Sequence, residues 1–352
     1  MAEKHINPYE KLPAYQFWKH GVVEETPFDL KNIYTKKFNI HKHWNIATAG
    51  SCFAQHIAKH LQNGGYKILD TEPAPLLLNE KNHSKYGYSM YSARYGNIYT
   101  VQQLLQLTKE VTSNITPEDG IWTKNGRYYD AFRPSVEPSG LNSENEVKTH
   151  RAYHLESVKK VFETMDLFIF TLGLTETWIN KNSGTVFPTA PGVLAGEFDP
   201  DKYSFKNYSF YECINAFNEF QDLLKTIRKG KNLPRIILTV SPVPLTATAS
   251  GNHILKANSY SKSTLRAVAG HLSEVQSHID YFPSYEIITN PSIRSMFYET
   301  NLRSVRKEGV ETVMKVFSSE HSPLTNVKKV SANSPERSNN IQCEDDLLEV
   351  FS

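Results

Sequence analysis

Ser51 and Cys52 set a hydroxyl beside a thiol in the stretch NIATAGSCFAQHIAKHL, residues 45–61. Either side chain becomes a nucleophile for acyl transfer once a base or a local positive potential activates it. Two further stretches carry polar and turn-forming residues straight after an apolar run. They are GLTETW, with Thr175 and Glu176, and SPVPLTATASGNH, with Ser241 and His253. Each also has a plain structural reading, GLTE as a helix-capping turn and SPVP as a rigid strand exit. His253 is the histidine best placed to act as a base, although a surface position is the simpler reading. His56 and His60 lie four apart on a helical pattern, a spacing that can hold a metal. No Glu or third ligand accompanies them and they fall off the apolar stripe, so a solvated helix face is expected. His41 and His43 are expected at the surface.

These residues need a scaffold, and the apolar pattern predicts one. Runs at 44–50, 166–173, 235–244 and 285–289 read as strands. The middle two are rich in Ile, Val, Leu, Phe and Thr without strict alternation, as in strands covered on both faces. Helical patterns at 53–65, 150–165, 209–230, 261–275 and 306–319 surround them. Strands alternating with helices predict a parallel sheet in a doubly wound α/β sandwich. Ligands of such sheets bind beyond the carboxyl ends of the strands, where GSC, GLTETW and SPVP all fall. The expectation is that 44–49, 166–172 and 235–241 run parallel, with Cys52, Thr175 and the 242–253 loop on one rim.

Two stretches interrupt the rhythm. Residues 79–150 are rich in Tyr, Asn, Ser and Gly, and 180–206 are loop-like. Insertions of this size are structural excursions or a lid that shapes a pocket. The domain is expected to span 1–319. Residues 320–352 are too polar to pack and read as a disordered tail, with EDDLLEVFS as an alternative docking segment.

The 352 residues are 39% hydrophobic and 22% charged, enough for one large domain or two small ones. A net charge of +2 from 39 basic and 37 acidic side chains argues against a nucleic-acid-coating surface. The amino-terminal residues lack a signal-peptide core, and no apolar run approaches the roughly 20 residues of a membrane span. Cys52, Cys213 and Cys343 are widely separated, which suggests a reducing, cytoplasmic setting without disulfides. There is no metal-ligand cluster and no phosphate-binding glycine loop. Oligomeric state is open.

The series GSCFA (50–54), SARYGNIYT (92–100), FTLGLTETW (170–178), TVSPVPLTAT (239–248), YSKSTLRAVAG (260–270) and YFPSYEIIT (281–289) resembles the GSCFA family. That family belongs to the wider SGNH/GDSL hydrolase-like superfamily. The resemblance covers about residues 10–318 and implies an SGNH-like, flavodoxin-like three-layer sandwich with a central parallel sheet. In the superfamily the first strand ends in Gly-Asp-Ser, with Ser the nucleophile. Laid on that triplet, Gly50-Ser51-Cys52 puts Cys52 in the nucleophile slot.

The helix phase agrees. With Ala54, Ile57, Ala58 and Leu61 facing the sheet, about 100° per residue points Cys52 away from the stripe and leaves Ser51 on the flank, suited to a cap. A thiol at a helix N-terminus is biased toward thiolate. Cys52 is the preferred nucleophile. Ser51 takes that role if the register is off by one, and a buried cysteine acting as a small hydrophobe is the inert alternative.

By the same resemblance Gly96-Asn97 takes the place of the superfamily's Gly motif. Thr175 stands where an Asn is usual, so Asn97 and Thr175 are the implied oxyanion donors, with Glu176 and Ser241 beside them on the rim. The final Asp-x-x-His is replaced by Asn301-Leu302-Arg303-Ser304, so the base would come from elsewhere, His253 first.

The function implied is hydrolysis or transfer of an acyl group on a carbohydrate or similar ester, through an acyl-enzyme. Acyl-CoA is the donor if the chain is a transferase, and Arg94 with Arg133 at a pocket mouth would favour that reading. The alternative is a glycan- or partner-binding module that has lost its triad. Tyr86, Tyr88, Tyr91, Tyr95, Trp122, Tyr128 and Tyr129 could stack on sugars, although packing within the insertions is the commoner reason for such residues.

Overall fold

The computed structural model describes residues 7–321 apart from Cys52 and Asn114. In chain order the elements are β1 (Ile46–Gly50), α1 (Ala54–Asn63), α2 (Val101–Ser113), β2 (Ile121–Lys124), β3 (Arg127–Asp130) and α3 (Glu144–Thr164). Then come β4 (Leu167–Leu172), β5 (Glu176–Asn180), β6 (Val186–Phe187), β7 (Tyr203–Asn207), α4 (Phe210–Ile227) and β8 (Arg235–Val240). The last are α5 (Ile254–Val275), β9 (Ile279–Tyr281), α6 (Ser284–Thr289) and α7 (Lys307–His321). Of the tail predicted at 320–352, Glu320 and His321 instead close α7, with His321 buried, and the remainder lies outside the described residues.

The central sheet has the order β1-β4-β8-β9 and every pairing is parallel. Past β1 the chain at 67–69 adds a single parallel bridge, with Ile46 N donating to Lys67 O and Leu69 N to Ile46 O. Counting that segment, the order is the 2-1-3-4-5 of flavodoxin-like sheets. Strand alternation divides the core in two. Phe168, Phe170 and Leu172 of β4 face a layer built from α2, α3, α4 and α5. Leu167 and Ile169 face α1, α6 and α7. Helices therefore cover both faces, and the molecule is a three-layer α/β sandwich of the predicted class.

Two expectations change. Residues 285–289, read as the fourth strand, form α6, and the fourth strand is Ile279–Tyr281. The β-branched run misled; the buried residues Ser284, Ile287 and Ile288 recur at the helical spacing i, i+3, i+4. The insertion at 180–206 is not merely loop. It completes an antiparallel sheet of order β6-β5-β7, which packs on the β2–β3 hairpin around Trp122, Tyr129, Phe187 and Tyr203. Its two-residue β6 and polar β7 (YSFKN) carry too little periodicity to be seen in sequence.

Candidate active site

Gly50 ends β1 with φ of +121°, and a Cβ there would sit 2.3 Å from Thr171 O of β4. Only glycine allows this backbone to pass so close. Ser51 N then donates to Thr171 O at 3.1 Å, which carries the ladder one residue past the strand. Ser51 is buried, and its Oγ has no hydrogen-bond partner among the described residues. Cys52 lies outside the described residues. Phe53, which follows it, is buried in the α1-side core.

A loop crosses the carboxyl ends of β1 and β4. Gly96 turns it at φ +69°, Ile98 N donates to Gly50 O at 3.0 Å, and Tyr99 O accepts from Gly173 N and Leu174 N, each at 3.0 Å. Buried Asn97 accepts at Oδ1 from Tyr91 O–H (2.6 Å), which orients the carboxamide and leaves Nδ2 as its donor end. Gly173 lies against the turn after β1, since a Cβ on it would come within 3.3 Å of Ser51 Cβ. Two residues on, Thr175 is fully buried. Its N–H donates to Ser261 Oγ (3.0 Å), and its own Oγ1 has no partner among the described residues. Glu176 accepts from Thr248 Oγ1 at 2.9 Å, and burial pushes its carboxyl above the usual range. Thr175, Glu176 and the loop after β8 thus share one rim.

Other predicted residues are engaged differently. Ser241 N donates to Leu172 O, while its hydroxyl accepts from Val243 N at 3.3 Å and stiffens the strand exit. His253 is exposed and caps α5, Nδ1 accepting from Leu255 N at 3.2 Å. Eight residues of helix, roughly 12 Å of rise, separate it from Ser261, so the structure does not bring it to Gly173 and Thr175. His41 and His43 are exposed. His56 and His60 are not on a solvated face. They are half-buried beneath α7, with His60 Nε2 2.6 Å from Ser318 Oγ, and burial lowers His56 to about 4.

Arg94 and Arg133 are no pocket mouth. Both are buried, Arg94 on Glu137 (2.6 Å), and Arg133 on Asp130 (2.8 Å) and Glu72 (3.2 Å). Tyr91, Tyr95, Trp122 and Tyr129 are buried as well and offer no open stacking face. Tyr86, Tyr88 and Tyr128 are half-buried.

Lys262 was missed. It is 1% exposed, and Nζ donates to Gly173 O at 2.8 Å, beside the Gly50–Ser51 turn. The signal was present, because Lys262, Leu265 and Ala269 share the buried stripe of α5. A lysine on an apolar stripe needs a polar partner inside the fold.

The segment 301–304 is a turn organised by Asn301. Asn301 Oδ1 accepts from Arg303 N (3.0 Å) and Ser304 N (2.9 Å), and Nδ2 donates to Ser304 Oγ (3.0 Å). Arg303 is buried under the β8 exit, Nε donating to Pro244 O at 3.2 Å.

No helix among the described residues is long and apolar enough to cross a membrane. No curated protein and no solved structure matches the chain. The GSCFA family model matches residues 45–317, from the start of β1 to the last turn of α7, and the chain belongs to the GSCFA family.

Proposed function

We propose that this chain is an acyl esterase or O-acyltransferase, working through a covalent acyl-enzyme on Cys52 and acting on an O-acylated carbohydrate or similar ester. The observation that supports the reading is the meeting at Gly173 of the Gly50–Ser51 turn and the buried Lys262 side chain, with the partnerless buried hydroxyl of Thr175 two residues on. Partnerless buried hydroxyls are costly unless something donates to them or accepts from them. A developing oxyanion is such an acceptor.

In the reaction the Cys52 thiolate adds to the acyl carbonyl carbon. The carbonyl oxygen takes the negative charge and accepts hydrogen bonds from Thr175 Oγ1 and Asn97 Nδ2. Collapse expels the alcohol or thiol, which takes up the proton the thiol gave up. Water or an acceptor hydroxyl then attacks the thioester, loses its proton, and restores Cys52. A thiol nucleophile tolerates the missing Asp-x-x-His better than a serine would, because its thiolate forms near neutral pH.

One observation favours a second reading, a binding module. In the turn at 301–304, Asn301 is bonded to Ser304 and Arg303 to Pro244 O, and the turn carries no carboxylate and no imidazole. Turnover of p-nitrophenyl acetate and of acetyl-CoA separates the two. Cys52→Ala should abolish activity, and Thr175→Val should lower kcat about 10- to 100-fold with the fold intact. Wild-type protein inert on every ester and thioester would leave the binding module standing.

A further inference from the structure

Beside the rim, two contiguous cavities run between α2 and the inserted sheet. The inner one, about 30 Å³, is lined by Tyr95, Asn97, Gln103, Arg151 and His154 among others. The outer one, about 490 Å³, opens between Thr116, Glu118 and Gly184. Gln106, Glu110 and Val186 line both, so they form one cleft with a wide mouth and a narrow floor. Its volume is in the range of small-ligand sites.

The floor is built around a histidine with one nitrogen to offer. His154 is fully buried, and its Nδ1 lies 2.7 Å from Glu72 Oε2. A carboxylate only accepts, so Nδ1 carries the proton. Burial, helped by Arg133, lowers His154 to about 4, so the ring is neutral. Nε2 is then a bare acceptor, and among the described residues it has no partner. With Nδ1 turned to Glu72, which does not line the cavity, Nε2 is the nitrogen left for the floor. The floor has room for about one water or one hydroxyl group.

Charge decides the kind of ligand. The cations of the cleft are engaged by carboxylates, Arg151 by Glu110 (Nε to Oε2, 3.1 Å) and Asp130 (3.5 Å), Lys109 by Glu219 (2.7 Å). Among the described residues a phosphate would find no cation in the cleft without a carboxylate partner, whereas amides, carboxylates and the imidazole suit hydroxyls. Both walls also reach the rim. Ile98 lines the inner cavity and binds Gly50 O through its N–H, and Tyr208 lines the outer one and binds Thr175 O.

We propose that this cleft binds a neutral polyhydroxylated ligand with the chemistry of a sugar, one hydroxyl of which donates to His154 Nε2. That this ligand carries or accepts the acyl group rests on the acyl-transfer reading; its binding does not.

The experiment reads binding alone. Full-length protein labelled with ¹⁵N-histidine is titrated with millimolar xylotriose, cellotriose and chitotriose while the imidazole resonances are followed. At least one neutral trisaccharide should move the His154 Nε2 resonance. Thr116→Trp, at the exposed mouth and away from the core, should weaken that binding roughly tenfold or more with the fold unchanged. His154→Gln, titrated by calorimetry because it lacks the reporter resonance, should bind the same sugar roughly tenfold or more weakly, and equal binding would overturn the proposal; Thr116→Trp keeps the test valid if that variant fails to fold. No shift with any of the three sugars, or equal binding in Thr116→Trp, would overturn the proposal. So would the same shift produced by coenzyme A. Failure to acylate Cys52 leaves this result untouched, so the two readings fail separately.

Discussion

Gly50, Thr175 and Lys262 hold the candidate site together by being small, polar or charged where the fold would accept none of these without a reason. At Gly50 the reason is geometric. An alanine would combine a left-handed φ of +121° with a Cβ 2.3 Å from Thr171 O. Gly50→Ala should therefore cost at least about 2 kcal/mol of stability in chemical denaturation. An unchanged midpoint would show that the turn relaxes freely. Of the residues at the rim, Ser51 and Thr175 follow strand ends, which are local signals in the sequence, whereas Asn97 lies in a loop that only the family resemblance pointed to. Lys262 lay on a readable stripe, but its meaning depended on Gly173, nearly ninety residues earlier in the chain. His253 misdirected attention for the converse reason. Although next to a motif in sequence, it lies about two helical turns from Ser261, the residue of α5 that holds the Thr175 backbone.

At the scale of elements, the wall of the cleft is fixed by one side chain. Gln106 of α2 accepts from Val186 N at 2.8 Å and donates to Val186 O at 3.1 Å, so it stands in for a strand partner of β6. Gln106→Ala leaves both backbone groups unpaired and should cost about 1–3 kcal/mol. The measurable consequence is faster hydrogen exchange at the Val186 amide, with exchange in β4 and β8 unchanged. Equal acceleration across the sheet would mean that the insertion and the sandwich unfold as one unit. The long strands β4 and β8 could be read from the sequence because both faces are apolar. The β5–β7 sheet could not, since its pairing is set by side chains from α2 and by the Trp122–Phe187 core. α6 shows the limit of composition, because a run rich in isoleucine folded by its spacing rather than its residue types.

The whole molecule carries several ionisable groups whose burial makes folding depend on pH. His56, His154 and His321 are each lowered by burial to about 4, below the ordinary histidine value of 6.5. The unfolded chain thus binds more protons than the native one between about pH 6.5 and 4, and stability falls as pH falls through that window. Glu72 extends the loss. Burial alone would raise its carboxyl, but the His154 hydrogen bond and the Arg133 guanidinium outweigh it and hold it at about 2. Its contribution is present above the unfolded value of 4.5 and is lost as pH falls toward 2. Denaturation midpoints should drop steadily on acidification from neutrality. A flat profile down to about pH 5 would show that these histidines are solvated.

A covalent intermediate on the turn after β1 leaves a mass on the protein that mass spectrometry reads. The protein is incubated with p-nitrophenyl acetate or acetyl-CoA, quenched in acid and digested. One acetyl group is expected on Cys52, absent in Cys52→Ala and retained in Ser51→Ala. Cys213 should stay unmodified, because it is buried and its thiol is pushed up to about 12 by that burial. An acetyl group on Ser51, or none on the 50–53 peptide of active wild-type protein, would contradict the claim.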